Sequence, residues 1–443
     1  MAQYRIPGVA VGLYFDGREY LRGYGVTNVD SPRPVDADTL FRIGSNSKTL
    51  CGTAAAVLID GGQLDLDRTV ASYVPDFVAP PGGEGVTVRQ VLDHSCGWLG
   101  YDYHDTGRGD DALARYTRDV RNLPQLTPPG ETFSYSNSGI GVAGRVIERV
   151  TAGTYEAAVQ SLVFDPLGMQ STDFFADDII GRNIAAPHDV GPNGEPVVTP
   201  GLWALPRCMN PFGGAISSAR DLLAFMRFHL GDGTAGGKRV MSRATLEGMR
   251  NRVGPGGTLL VELDGAGVSW MVRPTAEGPK IVHHGGDVPC YHSGLMLVPE
   301  RGFAMTLLTN SENGPNLVHQ LFFDDWALAL FAGLHNMPAA PRMLDASALA
   351  AYEGSYSAEQ IPFDGNPVAL PLALTAHQGG LLASLGPPGA QSQYVLRFYK
   401  DDFVLVAADE TAPSYIRANF LRDAGKRVAW FRFGGRLFRR NAA

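Results

Sequence analysis

The sequence predicts an α+β fold in which an antiparallel sheet is flanked by helices and accompanied by an all-helical lobe, with a small antiparallel β-barrel at the C-terminal end. Strand-like segments lie at both ends of the first 335 residues, and helical segments lie between them. A Pro-containing stretch, "HNMPAAPRM", follows this region. The residues beyond it form short apolar runs separated by Gly and Asp turns, which is typical of a small β-domain.

The strands of the first region begin with a hairpin. Val9, Val11 and Leu13 alternate with small residues ahead of the turn at Asp16-Gly17. Further strand-like runs cover residues 267–274, 280–286, 292–300 and 303–311. We expect both groups of strands to form one sheet, because the intervening helices would then build one wall of a cleft.

Helical periodicity is clear in the middle of the chain. The first helix is predicted over Ser45–Ile59, where apolar residues share one face and Gly61-Gly62 ends the run. Further helices are predicted for residues 87–95, 110–120, 139–155 and 218–230, and a single apolar helix covering the sheet for residues 315–334.

The C-terminal barrel is predicted from strand-like runs at residues 352–357, 373–386, 392–407, 414–423 and 427–440. The predicted domains are therefore residues 1–335, a linker at residues 336–345, and the barrel at residues 346–443.

Composition excludes several functions. The net charge of −8 argues against a nucleic-acid-binding protein, which would normally carry a basic surface. The chain has no apolar run of about 20 residues, so no membrane span is expected. Its start lacks a basic, apolar leader, which predicts a cytoplasmic location. The four cysteines show no close spacing and are expected to be buried free thiols. No cofactor is predicted.

Lysine is scarce in this chain, which makes Lys48 notable because it follows Ser45 by three residues at a predicted helix start. Residues three apart share a helix face, so the amine could reach the hydroxyl. A serine nucleophile needs a base, and a lysine can serve if its pKa is depressed by burial or a nearby positive charge. The Ser45 N–H could also stabilise an oxyanion. By itself the pattern favours a simpler hypothesis, with Ser45 capping the helix and Lys48 in solvent.

Tyr135 and Asn137, in "FSYSNSG", make the catalytic hypothesis stronger. A phenol close to a lysine ammonium can ionise more easily and relay a proton. The Asn137 amide could bind a substrate carbonyl and hydrogen-bond the lysine. A structural role for an isolated tyrosine is the alternative.

The run "HHGGD" supplies a further group of candidate residues. Glycines such as Gly286 would let a substrate backbone lie against a strand edge, and the N–H of Asp287 could be a second oxyanion donor. His283 and His284 would point to opposite faces of a strand, so at most one should face a cleft. A metal site formed by these two residues and His292 is rejected, because the spacing matches no familiar ligand set.

Taken together, these motifs resemble those of the serine β-lactamase and penicillin-recognising hydrolase superfamily, over about residues 5 to 335. The branch that the chain resembles holds class C β-lactamases, D-aminopeptidases, D-Ala-D-Ala carboxypeptidases, esterases and acyl transferases. The segments that carry the resemblance are "IGSNSKT", "LDHSCGWL", "FSYSNSGIGVAGRVIERV", "GGAISSARDLLAF" and "HHGGDVPCYHSGLMLVPERG". It implies a cleft between two lobes, with Ser45 as nucleophile, Lys48 and Tyr135 as the proton-transfer pair, and Asn137 as a polar support.

His284 stands where many β-lactamases carry a lysine, and Asp287 stands where a glycine is common. A neutral imidazole would recognise a substrate carboxylate weakly. We therefore expect a serine hydrolase that acts through an acyl-enzyme on the amide or ester bond of a small-molecule amide, ester or peptide substrate. The expected substrate is a D-amino-acid amide or peptide or a related small acyl compound, bound by Asn137, His284, Gly286 and Asp287. The alternatives are a β-lactamase or carboxypeptidase, a transacylase, and a non-catalytic binding protein. The sequence does not indicate an oligomeric state.

Overall fold

The computed structural model describes residues 1–251, 253–412 and 416–442, and it confirms the predicted α+β class. Within these residues the main sheet has seven antiparallel strands, in the order β3-β4-β5-β6-β7-β1-β2. They are β1 (Gly8–Phe15), β2 (Arg18–Gly25), β3 (Gly265–Ala266), β4 (Met271–Arg273), β5 (Ile281–Val288), β6 (Tyr291–Val298) and β7 (Phe303–Thr309). Because β7 pairs with β1, both ends of the region form one sheet, as predicted.

Both faces of this sheet are buried at its centre, as the sequence of β7 shows. Side chains alternate along a strand, so neighbouring residues enter different cores. Ala304 and Leu308 pack into the larger core with the central helices. Phe303, Met305 and Leu307 pack into a second core against the C-terminal helices of the region. A strand covered on both faces reads as a continuous apolar run, as this one does.

The helices surround the sheet and build a lobe beside it. The α-helices are α1 (Ser47–Asp60), α2 (Val88–Leu92), α3 (Ala112–Asp119), α4 (Asn137–Thr151), α5 (Tyr155–Val159), α6 (Asp165–Leu167), α7 (Ala176–Ile179), α8 (Ala219–Leu230), α9 (Arg243–Asn251), α10 (Gly314–Phe322), α11 (Asp325–Ala332) and α12 (Ala346–Leu349). Within the described ranges, every helix is too short or too polar to span a bilayer.

Two predicted elements are divided in the structure. The single helix expected over residues 315–334 is two helices, α10 and α11, because Asp324 takes an extended conformation between them. The strand expected over residues 267–274 is shorter than predicted: residues 271–273 form β4, and the residues before them form the turn, with a φ of 60° at Ser269, that joins β4 to β3.

Small two-stranded ribbons connect the larger elements. They pair Phe41–Arg42 with Ile216–Ser217, His188–Val190 with Pro196–Val198, Thr234–Ala235 with Lys238–Arg239, and Gly257–Leu259 with Val261–Leu263. The first of these ribbons leads directly into the turn that carries Ser45, and its partner strand leads into α8.

The C-terminal residues form a closed antiparallel barrel. In the described part of the chain its strands are β8 (Gly354–Gln360), β9 (Val368–His377), β10 (Gly380–Leu385), β11 (Ser392–Lys400), β12 (Phe403–Ala407), β13 (Ile416–Arg422), β14 (Val428–Phe433) and β15 (Arg436–Arg440). Pairing of β8 with β15 closes it. The first two residues of the predicted run 414–423, Ser414 and Tyr415, lie outside the described residues, as does Ala443. The predicted domain boundaries remain predictions.

The barrel is hydrogen-bonded to the first region through backbone groups. The Arg417 N–H donates to the Leu260 carbonyl at 2.9 Å, and the Ile361 N–H donates to the Tyr101 carbonyl at 2.8 Å. The third contact comes from the β14–β15 turn, where the Gly435 carbonyl accepts from the Tyr135 N–H at 2.9 Å. This turn therefore holds one of the predicted site residues directly.

Gly435 should tolerate a side chain less well than Gly434 beside it. Both have left-handed φ values, 57° at Gly434 and 74° at Gly435. A Cβ at Gly435 would lie 2.7 Å from Leu259 and 2.8 Å from Tyr135, whereas a Cβ at Gly434 would meet nothing within 4 Å. Each alanine substitution should cost about 1–2 kcal/mol of unfolding free energy from backbone strain. Gly435→Ala should cost more and melt at a lower temperature than Gly434→Ala in calorimetry; equal melting temperatures would contradict this packing.

Candidate functional site

The Ser45 hydroxyl lies on a tight turn that precedes the first long helix. Gly44–Asn46 forms a 3-10 turn, and α1 begins at Ser47, so the predicted helix start at Ser45 is two residues early. The turn requires Gly44, whose φ is 52°. A Cβ at Gly44 would lie 2.8 Å from the Asp287 nitrogen, so the turn packs directly against the backbone of β5.

Hydrogen bonds fasten this turn to the main sheet. The Asn46 amide donates to the Ser293 hydroxyl at 2.8 Å, and that hydroxyl donates to the Ile43 carbonyl at 2.9 Å. The Ser47 hydroxyl donates to the Gly44 carbonyl at 2.7 Å and accepts from the Ala215 N–H at 3.0 Å. These contacts hold Ser45 from both sides and place its hydroxyl at the cleft.

Lys48 is completely buried and contacts Ser45 as the spacing predicted. Its Nζ lies 2.9 Å from the Ser45 Oγ and donates to the Phe212 carbonyl at 2.7 Å. Burial lowers the pKa of Lys48 well below its usual value, although Cys51 and Asp287 act in the opposite direction. A large fraction of the amine can therefore be neutral, which is the state that accepts a proton.

The Tyr135 ring lies beside the same amine, with its centroid 4.8 Å from the Lys48 Nζ. Burial raises the pKa of Tyr135 well above its usual value, although the hydrogen bond with Ser45 lowers it. The expectation of an easily ionised phenol is therefore wrong. Burial disfavours the charge on the neighbouring Lys48 amine, and a buried phenolate is itself costly.

His94 is a positioning residue for Tyr135 that the sequence reasoning did not identify. The His94 ring stacks on the Tyr135 ring at 4.6 Å, and its Nδ1 accepts the Ser136 N–H at 3.0 Å. Burial lowers the pKa of His94 well below its usual value, so the ring is neutral. Because the Gly435 carbonyl accepts a hydrogen bond from the Tyr135 N–H, Tyr135 is held in place at both its backbone and its ring.

Asn137 is the first residue of α4, where Ser136 caps the helix by accepting the Gly139 N–H. Its expected hydrogen bond to Lys48 is absent among the described residues, because the Phe212 carbonyl occupies that position on the amine. The Asn137 Oδ1 is buried without a hydrogen-bond partner in the described chain, and the side chain borders the cleft.

His284 lies on β5 with only 2% of its surface exposed. Its Nδ1 lies 2.6 Å from the Gly285 carbonyl, so Nδ1 carries the proton and Nε2 is left as an acceptor. Burial and Lys48 lower the pKa of His284 to about 3, so the ring is neutral at physiological pH. His283 also borders the cavity, which contradicts the expectation that only one of the two would. The cavity reaches both faces because β4 begins opposite His283, so its pairing with β5 does not extend to the residues of β5 that follow His283.

Gly286 serves a different contact from the one expected. A Cβ at this position would lie 2.0 Å from the Ile43 carbonyl and 2.4 Å from the Ser293 hydroxyl. The close approach is therefore to the chain's own turn rather than to a substrate backbone. Gly286 lets the Ser45 turn dock against β5 and thereby places the N–H groups of Ser45 and Asp287 near each other.

The Asp287 carboxylate is held by a buried histidine on the neighbouring strand. Its Oδ1 lies 2.7 Å from the His292 Nδ1, and the His292 Nε2 lies 3.9 Å from the Glu312 Oε2. Burial acts to lower the pKa of His292, but the two carboxylates outweigh it and raise that pKa to about 9. The contact with His292 lowers the pKa of Glu312 to about 2. An imidazolium between two carboxylates therefore persists through neutral pH.

The cleft contains a cavity of about 470 Å³. Ser45, Tyr135, Asn137, His284 and Asp287 border it, so the structure brings these predicted residues together. The remaining lining is mainly aromatic and aliphatic and was not assigned from the sequence: Tyr101, Tyr103, Leu205, Met209, Phe212, Leu259, Leu260, Met271, Val288, Pro289, Phe323 and Phe363.

Sequence reasoning missed several residues that border the cavity, and a sequence motif could have identified only some of them. Phe212 directly precedes the quoted run "GGAISSARDLLAF", so a longer reading of that motif could have included it. Phe363 and Gly434 come from the barrel and border the same cavity. No local pattern connects them with Ser45, because their proximity depends on how the barrel packs.

Comparison with known proteins places this geometry in a family. The family model described as β-lactamase matches residues 1–326. Penicillin-binding protein 4 of Amycolatopsis lactamdurans is 31% identical over 369 residues, which cover 81% of this chain and 94% of that protein. The chain therefore belongs to the β-lactamase family, in the superfamily of serine β-lactamases and penicillin-binding proteins.

Solved structures extend the similarity to the barrel. The crystal structures of SurE, alone and with D-Leu, have 27% sequence identity and a TM-score of 0.76, and they cover 99% of this chain and 96% of SurE. A class C β-lactamase from Rhodobacter sphaeroides has 26% identity and a TM-score of 0.57, covering 70% of this chain and 91% of the enzyme. The match to SurE therefore includes the C-terminal barrel as well as the sheet and helices.

The lowered pKa of Lys48 predicts a distinctive pH dependence of stability. An unfolded lysine titrates near pH 10.4, so below that pH the unfolded chain binds a proton that the folded chain lacks. Stability should therefore rise with pH from the folded pKa toward about 10.4, by up to about 1.4 kcal/mol per pH unit. In urea unfolding between pH 7 and 9, Lys48→Met should remove this contribution, whereas Lys238→Met, at an exposed site, should keep it. Parallel profiles for wild type and Lys48→Met would show that the folded lysine stays protonated.

Proposed function

We propose that the protein is a serine acyl-enzyme hydrolase or transacylase that acts on neutral or amine-bearing amides, esters or short peptides, with a preference for D-residues. The observation that carries the proposal is the 2.9 Å contact between the Ser45 hydroxyl and the buried Lys48 amine. A lysine held in solvent as an ammonium could not act as a base, and burial is what changes this.

In the first half of the reaction, Lys48 removes the proton from the Ser45 hydroxyl as its oxygen attacks the substrate carbonyl. The backbone N–H groups of Ser45 and Asp287 stabilise the negative charge that develops on the carbonyl oxygen. The proton then passes from Lys48 through the Tyr135 hydroxyl to the departing amine or alkoxide. This leaves an ester between the acyl group and Ser45, with the base again neutral.

In the second half an acceptor attacks this ester. The acceptor gives up its proton through Tyr135 to Lys48, and the proton returns to the Ser45 oxygen as the ester bond breaks. Water as acceptor gives hydrolysis, and an amine or alcohol gives transacylation. The largely apolar cavity supports transacylation in particular, because a bound apolar acceptor excludes water from the ester.

The lining of the cavity supports the substrate class. His284 is neutral where many β-lactamases carry a lysine, and Asp287 adds a carboxylate, so neither of these two residues offers a fixed cation to a substrate carboxylate. The aromatic and aliphatic lining suits an apolar side chain on the acyl group. The unpartnered Asn137 Oδ1 can receive an amide N–H of the substrate. The D-preference rests on the similarity to SurE, for which a structure with D-Leu exists.

Ser45 should be the residue that becomes covalently modified. A fluorophosphonate should add once to the wild-type protein, and peptide mapping should locate the adduct on Ser45. Ser45→Ala should give no adduct, whereas Ser47→Ala should still react at Ser45 even if the turn is less stable. An undiminished adduct on the Ser45→Ala protein would exclude this residue as the nucleophile.

A substrate panel should separate the competing activities. We expect turnover of p-nitrophenyl esters, turnover of amino-acid amides and short peptides that favours D-residues, and slow or undetectable hydrolysis of nitrocefin. Each reaction is run with and without an added amine, and mass spectrometry reports whether the product carries that amine. Amine-containing product formed faster than the hydrolysis product would identify a transacylase. Nitrocefin turnover as fast as that of the best ester or amide would instead identify a β-lactamase.

A further inference from the structure

The polar groups that border the catalytic cavity are unusual in their balance of donors and acceptors. The Asn137 Oδ1 and the His284 Nε2 are buried acceptors without partners in the described chain. The Asp287 carboxylate adds two more acceptor oxygens, of which Oδ1 is already bonded to His292. Asp287 is also the one acidic residue among the described residues that border this cavity, and burial keeps the two lining histidines neutral. A complementary ligand would bring hydrogen-bond donors and a positive charge.

The Asp287 carboxylate is placed where such a ligand would meet it during the reaction. Its backbone nitrogen would lie 2.8 Å from a Cβ at Gly44, so Asp287 adjoins the turn that carries Ser45. The side chain is 73% exposed, while the contact with His292 holds its orientation. The rim carries one net negative charge, since one imidazolium, that of His292, lies between the carboxylates of Asp287 and Glu312. Burial lowers the pKa of the neighbouring His319.

Aromatic rings complete the surroundings of this carboxylate. Four aromatic residues border the same cavity, and Arg436, Lys48 and Arg273 already lie over the rings of Tyr101, Phe212 and Phe323. Tyr103 is the one of the four that has no cation over its ring in the described part of the chain. Aromatic faces attract ammonium groups, and a carboxylate beside aromatic side chains is an arrangement that binds organic cations. An anionic ligand would instead meet the Asp287 carboxylate at this border of the cavity.

We propose that Asp287, oriented by His292, forms a subsite for a primary ammonium group of the substrate, next to the acyl-enzyme ester. This inference rests on the proposed acyl-enzyme function and specifies the class of substrate for it. The ammonium group belongs either to the acyl donor or to a second amino group on the acceptor, and the chemistry of recognition is the same for both. The amine that attacks the ester is a separate, neutral group.

The donor side is tested with a pair of p-nitroanilides that differ in one group. D-Phenylalanine p-nitroanilide carries an ammonium group, and 3-phenylpropionic acid p-nitroanilide has hydrogen in its place. The quantity measured is the ratio of the two kcat/KM values. Asp287→Asn should lower this ratio about fivefold or more, since it removes the charge and keeps the shape. Asp401→Asn removes the same charge from the barrel surface, where the side chain is 92% exposed, and should keep the wild-type ratio.

The acceptor side uses the acyl-enzyme formed from the uncharged donor. The measured quantity is the rate of aminolysis by 1,4-diaminobutane divided by the rate with butylamine, in wild type and in Asp287→Asn. A fall in this ratio assigns the subsite to the acceptor, and a fall in the donor ratio assigns it to the donor. Raising the salt concentration should weaken the preference in wild type more than in Asp287→Asn. Wild-type values of both ratios in Asp287→Asn would overturn the ammonium subsite.

Failure of the subsite can be distinguished from failure of the acyl-enzyme function, because fluorophosphonate labelling of Ser45 needs no ammonium group. A labelled Ser45 with unchanged ratios overturns only the subsite. If neither anilide turns over, protection of Ser45 from labelling replaces the kinetic readout. Phenethylamine should then slow labelling at a lower concentration than 2-phenylethanol in wild type, and the difference should shrink about fivefold in Asp287→Asn. Equal protection by the two compounds in wild type would overturn the proposal.

Discussion

The docking of the Gly44–Asn46 turn against strands β5 and β6 is the constraint on which the rest of the site depends. Two positions permit this contact: Gly44, with its left-handed backbone, and Gly286, where a Cβ would overlap the Ile43 carbonyl. Ser293 then ties the turn to β6 through hydrogen bonds on either side of Ser45. Without this approach the backbone N–H groups of Ser45 and Asp287 could not lie together, and Lys48 would not enter the protein interior beneath the serine.

Burial determines the electrostatic character of the cleft. Lys48, Tyr135 and His284 are all shifted toward their neutral forms, because a charge removed from water is costly unless a partner compensates it. A neutral amine beside a neutral phenol can exchange a proton in either direction without a large change in net charge. The charged groups are instead at the rim, where His292 keeps its proton because two carboxylates contact it.

The barrel takes part in this arrangement through backbone groups. The turn between β14 and β15 reaches the Tyr135 N–H, and the Tyr101 hydroxyl donates to the Gly434 carbonyl at 2.8 Å. The Arg436 guanidinium lies over the Tyr101 ring at 3.8 Å. The barrel therefore fixes the position of two aromatic residues of the cavity, Tyr101 and Tyr135. The same contacts attach the barrel to the first region and shape the cleft.

The sequence by itself determined the fold class, the pairing of both ends of the first region in one sheet, and the local chemistry of Ser45 with Lys48. These depend on alternation along strands and on helix spacing, which are properties of neighbouring residues. The tertiary structure alone decided that Phe212, rather than Asn137, holds the lysine, and that His94 and Gly435 hold Tyr135. It also decided the protonation states, because a pKa depends on the burial and partners of a group. Those partners come from segments far apart in the chain, so no local pattern connects them with the lysine or the tyrosine that they contact.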